Sequence, residues 1–540
     1  MSNEKNNTRN AWIPVIIALS IILGVFIGTF LSQFVGNTQI FYGNSKIDKV
    51  IRLIKSNYVD SIETDEIIEN TLPSIFKELD PHSSYIPAKD LQLVNDDLEE
   101  SFSGIGIQFN MATDTITVIS VISGGPSEKM GLMPGDRIIT VDDSLFVGLS
   151  TERVMRTLRG KKGTPVKVGI HRTSCDTLIP ITIIRGDVPN NSVDATYKLN
   201  DETGYIKINK FGRSTYNEFL LALITLKTQG CSAFVIDLRA NSGGYMDAAI
   251  AMLNELLPAD QMIVYTEGRA FPRTEARANG MGSYPTAPIV VLVDEWSASA
   301  AEIFAGAIQD NDRGAIVGRR TFGKGLVQNQ FALPDSSAIR LTIARYYIPS
   351  GRSIQKPYEM GHADNYEMDI IKRYEHGEFV NKDSIKQNTD MQYLTIGGRT
   401  VYGGGGVMPD YFIPRDTTGY NAYYTQLINQ NIIYQYAFTF TDENRQELSR
   451  YTSASELAKV LARYPLVNGV SSLAWEKSKI RRRPIMIAQS HKLIQQQTIA
   501  LITRNMLGEN AFYEIYNQGD PVVEKAIELI KERTPLPNAK

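Results

Sequence analysis

Two serines, one lysine and one glutamine are the residues whose types and spacing could do covalent chemistry in this chain. Residues 291–310 read VLVDEWSASAAEIFAGAIQD, which predicts a buried strand, a turn of small residues and then a helix. Small neighbours leave a hydroxyl accessible, and a helix N-terminus favours negative charge that develops during a reaction. On that logic either Ser297 or Ser299 can be a nucleophile, although serines before a helix also serve as caps. The G-x-S-x-G elbow is absent. Residues 320–330, RTFGKGLVQNQ, frame Lys324 between Gly323 and Gly325, with Gln328 four positions on. A phosphate-binding loop would need G-x-x-x-x-G-K-S/T, which is missing, and a plain surface lysine in a turn is the simpler alternative. Residues 186–361 contain no His, so a Ser–His–Asp triad built within that stretch is excluded. A desolvated lysine of lowered pKa is the remaining way to activate a serine there.

The elements that must position these groups follow from the apolar pattern. From Tyr205 onward, GYIKINKF, AFVIDLR, residues 289–293 and AIVG read as strands alternating with helices, which predicts a sheet covered by helices. Residues 101–187 have a different texture of short strands and turns, with SFSGIGIQF followed by GGPSEKMGLMPGDRIITVDD. This segment resembles a PDZ domain. The resemblance implies that Phe102, Ser103, Gly104 and Ile105, with Gly106 and Ile107 entering the next strand, form the loop that captures a peptide C-terminal carboxylate. Residues 45–100 are predicted helical, as is the region 416–540, which ends in the amphipathic DPVVEKAIELI.

Further segments extend the resemblance: LDPHSSYI (79–86), DLRANSGG (237–244), SASAAEIFAGAIQD, TFGKGLVQ, YYIPSGRSIQ (346–355) and GGVMPD (405–410). Together they resemble the C-terminal processing peptidases, also called tail-specific proteases. The resemblance runs from about residue 46 to 413 and is interrupted at 358–397. It implies that Ser299 is the nucleophile, Lys324 the general base and Gln328 the residue that orients the lysine. The family's run S-A-S-A-S has Ala301 in place of its third serine here, which removes a local hydrogen bond. The oxyanion donors are implied to be the backbone amides of Gly243 or Gly244 and of Ala300. Asp237, Arg239 and Asn241 are expected to shape the glycine turn, and Asp310 to support the fold or the lysine's surroundings.

The expected fold class is therefore multidomain α/β: an N-terminal membrane helix, a helical segment, a PDZ-like β domain, an α/β serine-peptidase core (188–357 and 398–415) and a helical C-terminal extension. Residues 358–397 read as a polar insertion whose His362 and His376 lack metal-ligand spacing. The implied activity is endoproteolysis by a Ser–Lys mechanism, with no metal or organic cofactor, on protein substrates with accessible C-terminal tails. The alternative is a catalytically silent PDZ scaffold or chaperone of the cell envelope.

Composition supports these limits. The 540 residues suffice for several domains, and 56 Lys and Arg against 59 Asp and Glu argue against a broadly basic nucleic-acid binder. A mean hydropathy of −0.18 excludes a multi-span membrane protein. One segment stands out: no charge occurs between Arg9 and Lys46, and residues 11–35 are long and apolar enough to span a bilayer. No clear cleavage motif follows, and Lys5 and Arg9 precede it, so an uncleaved anchor with an extracytoplasmic, periplasmic-side body is expected. Cys175 and Cys231 fall in different predicted domains and read as solitary thiols. Homo-oligomerisation through the helical regions is left open.

Overall fold

The apolar runs of the central region fold into a six-stranded sheet in the order Val193–Lys198, Thr203–Ile208, Ala233–Asp237, Ile289–Val293, Ala315–Gly318, Tyr411–Phe412. The first pair is antiparallel and every later pair parallel. Alternate side chains of these strands enter different cores. Ile206, Ile236, Val291 and Ile316 face helices Thr215–Thr228, Met246–Leu256 and Ala300–Asp310. Tyr205, Val235, Leu292 and Val317 face the helix Pro521–Glu532 through its Val522, Val523, Ala526, Leu529 and Ile530. A strand buried on both faces reads as a continuous apolar run, which is why AFVID and IVVLV carry no polar alternation until Asp237.

The computed structural model describes residues 46–111, 115–172 and 175–533. The predicted anchor at 11–35 lies outside the described residues, and among those described no helix is long and apolar enough to cross a membrane. The chain divides into two compact units, residues 1–75 and 76–540. Of the first, the structure describes helix Lys46–Asn57 and the beginning of helix Thr64–Lys77.

The PDZ-like segment of the second unit is a sheet of Ile107–Asn110, Ile116–Val121, Arg137–Val141, Pro165–His171 and Ile179–Ile184, with helix Thr151–Leu158 capped by Ser150. Ile116, Val118, Ile138, Val154, Val168 and Ile170 fill the core beneath that helix. Strand Ser101–Gly104 pairs with Gly186–Pro189 where the chain enters and leaves the domain.

A second sheet carries the lysine segment. Leu326–Ala332 and Ala338–Tyr347 form an antiparallel hairpin, and the short strand Ser84–Ile86 adds to it with Ser84 opposite Arg340. Residues 46–100 thus hold helices Lys46–Asn57, Thr64–Lys77 and Ala88–Asp96 joined by turns, and the short strand delivers the LDPHSSYI motif to the lysine hairpin.

Two regions differ from the sequence reading. Residues 358–397 fold back onto the core as helices Ala363–Glu367 and Asp369–Glu375, with Gln392–Leu394 pairing to Thr400–Tyr402. Their charges are partly internal: Arg373 and Arg320 both pair with Glu378, at 3.2 and 2.7 Å. The C-terminal helices pack a core of their own around Tyr423, Leu457 and Ile494. Their last member, however, forms the second layer over the peptidase sheet, because a parallel sheet that is apolar on both faces requires cover on both.

Asp310 ends helix Ala300–Asp310 and pairs with Arg352 at 2.7 Å, both side chains being fully buried. Arg352 also donates to Gln309 Oε1 and to Tyr402 O, and Asp310 accepts from the Ser350 amide. Breaking one partner of such a pair leaves a buried charge uncompensated. Arg352→Met is expected to lower stability by about 3–5 kcal/mol, read as a lower urea midpoint at unchanged slope. The double variant Arg352→Met/Asp310→Leu should recover most of the loss, and a single variant that unfolds at the wild-type midpoint would contradict this account.

Candidate active site

Strand Ile289–Val293 runs into a turn, 294–299, that opens helix Ala300–Asp310, and the two serines of this turn do different things. Ser297 is fully buried; its Oγ donates to Leu238 O at 2.8 Å and accepts from the Asp294 amide at 3.0 Å, so it holds the turn. Ser299 is the N-cap residue with φ 57° and ψ −117°, a left-handed region that a side chain rarely adopts. Such a conformation costs on the order of 1–3 kcal/mol and persists only where surrounding contacts enforce it. Here it turns the Ser299 side chain into a cleft of about 810 Å³, which Lys324, Gln328, Gly243, Gly244 and Ala300 also line.

The enforcing contact is Glu302, one turn into the helix and fully buried. One of its oxygens accepts from the amides of Ser299 at 2.9 Å and Lys324 at 2.8 Å. The other accepts from the Gly323 amide at 2.7 Å and from the Thr321 hydroxyl. Four donors on two oxygens match the acceptor capacity of an ionised carboxylate. Burial acts against that charge and pushes the pKa up to about 7, while the Thr321 hydroxyl and the three amides pull it down. One buried carboxylate therefore fixes both the serine turn and the lysine loop. Tyr346, buried beside it, places its hydroxyl against the carbonyls of Ser299, at 3.1 Å, and of Lys324.

Lys324 has the environment that a neutral amine needs. Burial lowers its pKa and the nearby Arg340 adds to the effect, whereas Glu302 and Asp80 oppose it. Gln328 lines the same cleft, but its Nε2 donates to Thr342 Oγ1 at 3.2 Å and not to Lys324. Thr342 Oγ1 donates in turn to Asp80 Oδ1 at 2.9 Å, so the glutamine is tied to the LDPHSSYI segment.

The glycine turn lines the same cleft as the lysine. Gly243 has φ 98°, and a Cβ there would lie 2.7 Å from both Ala298 O and Ser299 Cβ. Only glycine allows this approach to the nucleophile turn. The Gly243 amide donates to Asn241 Oδ1 at 2.8 Å and is thereby occupied. Among the described residues no acceptor meets the amides of Gly244 or Ala300. Asn241 Nδ2 donates to Ile208 O and its carbonyl accepts from the Ala298 amide, so this residue shapes the turn from both ends.

In the PDZ-like segment, Phe102, Ser103 and Gly104 belong to the strand paired with Gly186–Pro189, and Ile107 begins the next strand. Between them Gly106 has φ 82°, and the Ile105 and Gly106 amides meet no acceptor among the described residues. Phe102 stacks under the Arg159 guanidinium, 4.2 Å from the ring centre.

Comparison with known proteins gives this geometry its family. Residues 202–367 match peptidase family S41, 103–183 match the PDZ domain, and 423–508 match a family of unknown function. A carboxy-terminal-processing protease of Bartonella bacilliformis is 33% identical over 58% of this chain and 72% of its own length. A carboxy-terminal processing protease of Bacillus subtilis is 32% identical over 60% of this chain and 70% of its own length. The chain belongs to this family. It is a serine-type peptidase of the carboxy-terminal processing proteases, with a PDZ domain and a helical C-terminal region.

In this carboxy-terminal processing protease, several cleft residues escape a reading by local sequence. His82 lines the cleft from the LDPHSSYI strand entry, outside the stretch 186–361 that lacks His. Burial, reinforced by Lys324, lowers its pKa to about 4 despite Asp80, and its Nε2 lies 3.0 Å from the Tyr366 hydroxyl. Arg340 and Tyr346 arrive from the hairpin's second strand; Tyr346 opens the YYIPSGRSIQ motif, whereas no local signal announces Arg340. Glu302 did have one: Ser299-x-x-Glu302 fits the capping-box pattern, in which the third helical residue reaches back to the cap amide. Among the described residues no group of three or more His, Cys, Asp or Glu gathers to hold a metal.

Ionised Glu302 and neutral Lys324 both require high pH, so activity should rise with pH and fall as pH drops through about 7, where Glu302 takes up a proton. Glu302→Gln turns an amide toward at least one of the four donors. Each buried donor left unpaired costs about 1–3 kcal/mol, so kcat should fall roughly ten- to a hundredfold. A pH profile of kcat on a peptide substrate checks both statements; an unchanged rate and profile in Glu302→Gln would remove Glu302 from this role.

Proposed function

We propose that this protein is an endopeptidase that uses Ser299 as nucleophile and Lys324 as general base, and that it acts on proteins presented by their C-terminal tails. The observation that supports this reading best is that one buried carboxylate, Glu302, binds the backbone of both residues and so holds the serine turn and the lysine loop on one cleft. The reaction is acyl transfer. The neutral Lys324 amine takes the Ser299 proton as Oγ bonds to a peptide carbonyl carbon. The tetrahedral oxyanion is stabilised by the Gly244 and Ala300 amides, whose donors are uncommitted. Lys324 then protonates the leaving amine as the C–N bond breaks. Water hydrolyses the acyl-enzyme, giving a proton to Lys324, which returns it to Ser299 Oγ. Gln328, tied to Thr342, steers the lysine when it turns toward the serine, since catalytic hydrogen bonds often tighten only in the substrate complex.

The relatives named for carboxy-terminal processing support selection by substrate tail, as do the uncommitted Ile105 and Gly106 amides in the PDZ loop. A terminal carboxylate would take those donors while the substrate strand lies along Ile107–Asn110. Membrane attachment through residues 11–35, with the catalytic body on the extracytoplasmic side, is part of the proposal and rests on the length and polarity of that apolar run.

Cleavage of a partly unfolded protein by the full chain tests the dyad. Ser299→Ala and Lys324→Ala should each reduce kcat by on the order of 10⁴-fold or more. Wild-type rates in both variants would sink the mechanism. Changing only the substrate's last residues should alter the rate severalfold; equal rates across tails would leave tail selection without support.

A further inference from the structure

The C-terminal region meets the start of the glycine turn by one ion pair, Asp520 with Arg239. Helix Pro521–Glu532 is capped by Asp520, and the two oxygens of this carboxylate have separate partners. Oδ1 accepts from the amides of Val522 at 2.8 Å and Val523 at 3.4 Å. Oδ2 accepts from Arg239 Nη1 at 2.6 Å. Arg239 also grips Asp237, with its Nη2 2.6 Å from Oδ2, and Asp237 is almost fully buried. Asp237 in turn takes the Tyr205 hydroxyl at 2.7 Å.

Arg239 is the first side chain of the turn that ends at Gly244. Beyond it Ala240, Asn241 and Gly243 are each held by hydrogen bonds, while Ser242 is exposed. The Ala240 amide donates to Asp294 Oδ1 at 2.9 Å, and Ala240 has φ 57°. Asn241 holds Ile208 O and the Gly243 amide. Arg239 itself is held by Asp237 from the peptidase sheet and by Asp520 from the C-terminal region, with its own carbonyl bound by Lys207 Nζ. A turn this short, held at Arg239, Ala240, Asn241 and Gly243, transmits the placement of its first residue toward its last, since packed and hydrogen-bonded backbone yields little to a shift.

We propose that Asp520 is a positioning residue for peptide hydrolysis: through Arg239 it fixes the turn that aims the Gly244 amide into the cleft, which makes the C-terminal helix part of the catalytic apparatus. The inference rests on the proposed Ser299 mechanism and on Gly244 as an oxyanion donor. Oxyanion donors act by being held in place before the charge develops, so a displaced turn lowers transition-state binding more than substrate binding. Contacts other than the ion pair also dock the helix. Val522, Val523, Ala526, Leu529 and Ile530 bury their side chains on the sheet, and Asn517 Nδ2 donates to Tyr197 at 2.8 Å nearby.

Asp520→Asn in the full chain isolates the pair from the cap, because the amide oxygen still caps Val522 while the amide nitrogen faces the guanidinium with a donor. We expect kcat to fall about tenfold with KM within about twofold, and the affinity for a peptide aldehyde, whose adduct carries an oxygen in the oxyanion position, to weaken by a similar factor. Leu529→Ala, which thins the same helix's packing without touching Arg239, should lower Tm while leaving kcat and aldehyde affinity within about twofold. The proposal is overturned if Asp520→Asn keeps wild-type kcat and aldehyde affinity, or if Leu529→Ala loses kcat in parallel with Tm. Ser299→Ala in the same assay separates the two readings: residual wild-type cleavage there removes the mechanism itself, whereas an inactive Ser299→Ala beside a normal Asp520→Asn removes only this role.

Discussion

A carboxylate with no exposure to water accepts hydrogen bonds from both halves of the candidate active site, and the rest of the arrangement depends on it. Glu302 lies one turn inside a helix whose eleven residues are all buried, where an isolated charge would be strongly disfavoured. It is tolerable because four donors converge on it, and those donors belong to the serine turn and the lysine loop. The positive φ of Ser299 lies at the residue whose amide this carboxylate holds. Strain at the nucleophile, satisfaction of a buried charge and placement of the lysine are thus one problem with one solution.

The lysine's environment follows from how the second sheet is assembled. Strand Ala338–Tyr347 brings Arg340 and Tyr346 to the cleft, pairs with the lysine strand on one side and receives Ser84–Ile86 on the other. That short strand brings Asp80 and His82, so a segment more than two hundred residues upstream shapes the charge around Lys324. Burial and Arg340 lower its pKa, and the carboxylates of Glu302 and Asp80 limit the fall. The helices between residues 363 and 375 complete the wall. Tyr366 meets His82, Lys356 lies over the rings of Phe322 and Tyr366 at 3.9 and 4.0 Å, and Arg373 donates to the carbonyls of Arg320 and Thr321. The polar stretch that interrupts the family resemblance is therefore a brace for the lysine loop.

Local sequence made much of this architecture legible. AFVID and IVVLV announced a doubly covered sheet, and the GIG and GGPSEKMGLMPGD segments announced the PDZ domain. The resemblance singled out Ser299, Lys324 and Gln328. Where local logic left two serines equivalent, the backbone separates them: Ser297 is consumed by Leu238 O and Asp294, and only Ser299 faces the cleft. The choice between Gly243 and Gly244 was likewise open in the sequence. In the structure Asn241 occupies the first amide and leaves the second uncommitted, which is why the proposed mechanism uses Gly244.

The sequence by itself determined the elements, the family and the chemical types at the site, because periodicity, turn residues and short motifs are local properties of the chain. The scarcity of His and Cys, with none of the former between residues 186 and 361, already favoured a lysine base. Tertiary structure decided which groups meet. His82 enters from outside the peptidase core, Glu302 joins two loops, and Asp520 reaches Arg239 across 281 positions. Apart from the capping-box pattern that marks Glu302, none of these contacts leaves a mark in local composition, since each partner satisfies its own segment's pattern as a strand entry, a capping residue or a turn. Their meeting is set by strand order and by the need to cover both faces of one apolar sheet, and those are properties of the whole fold.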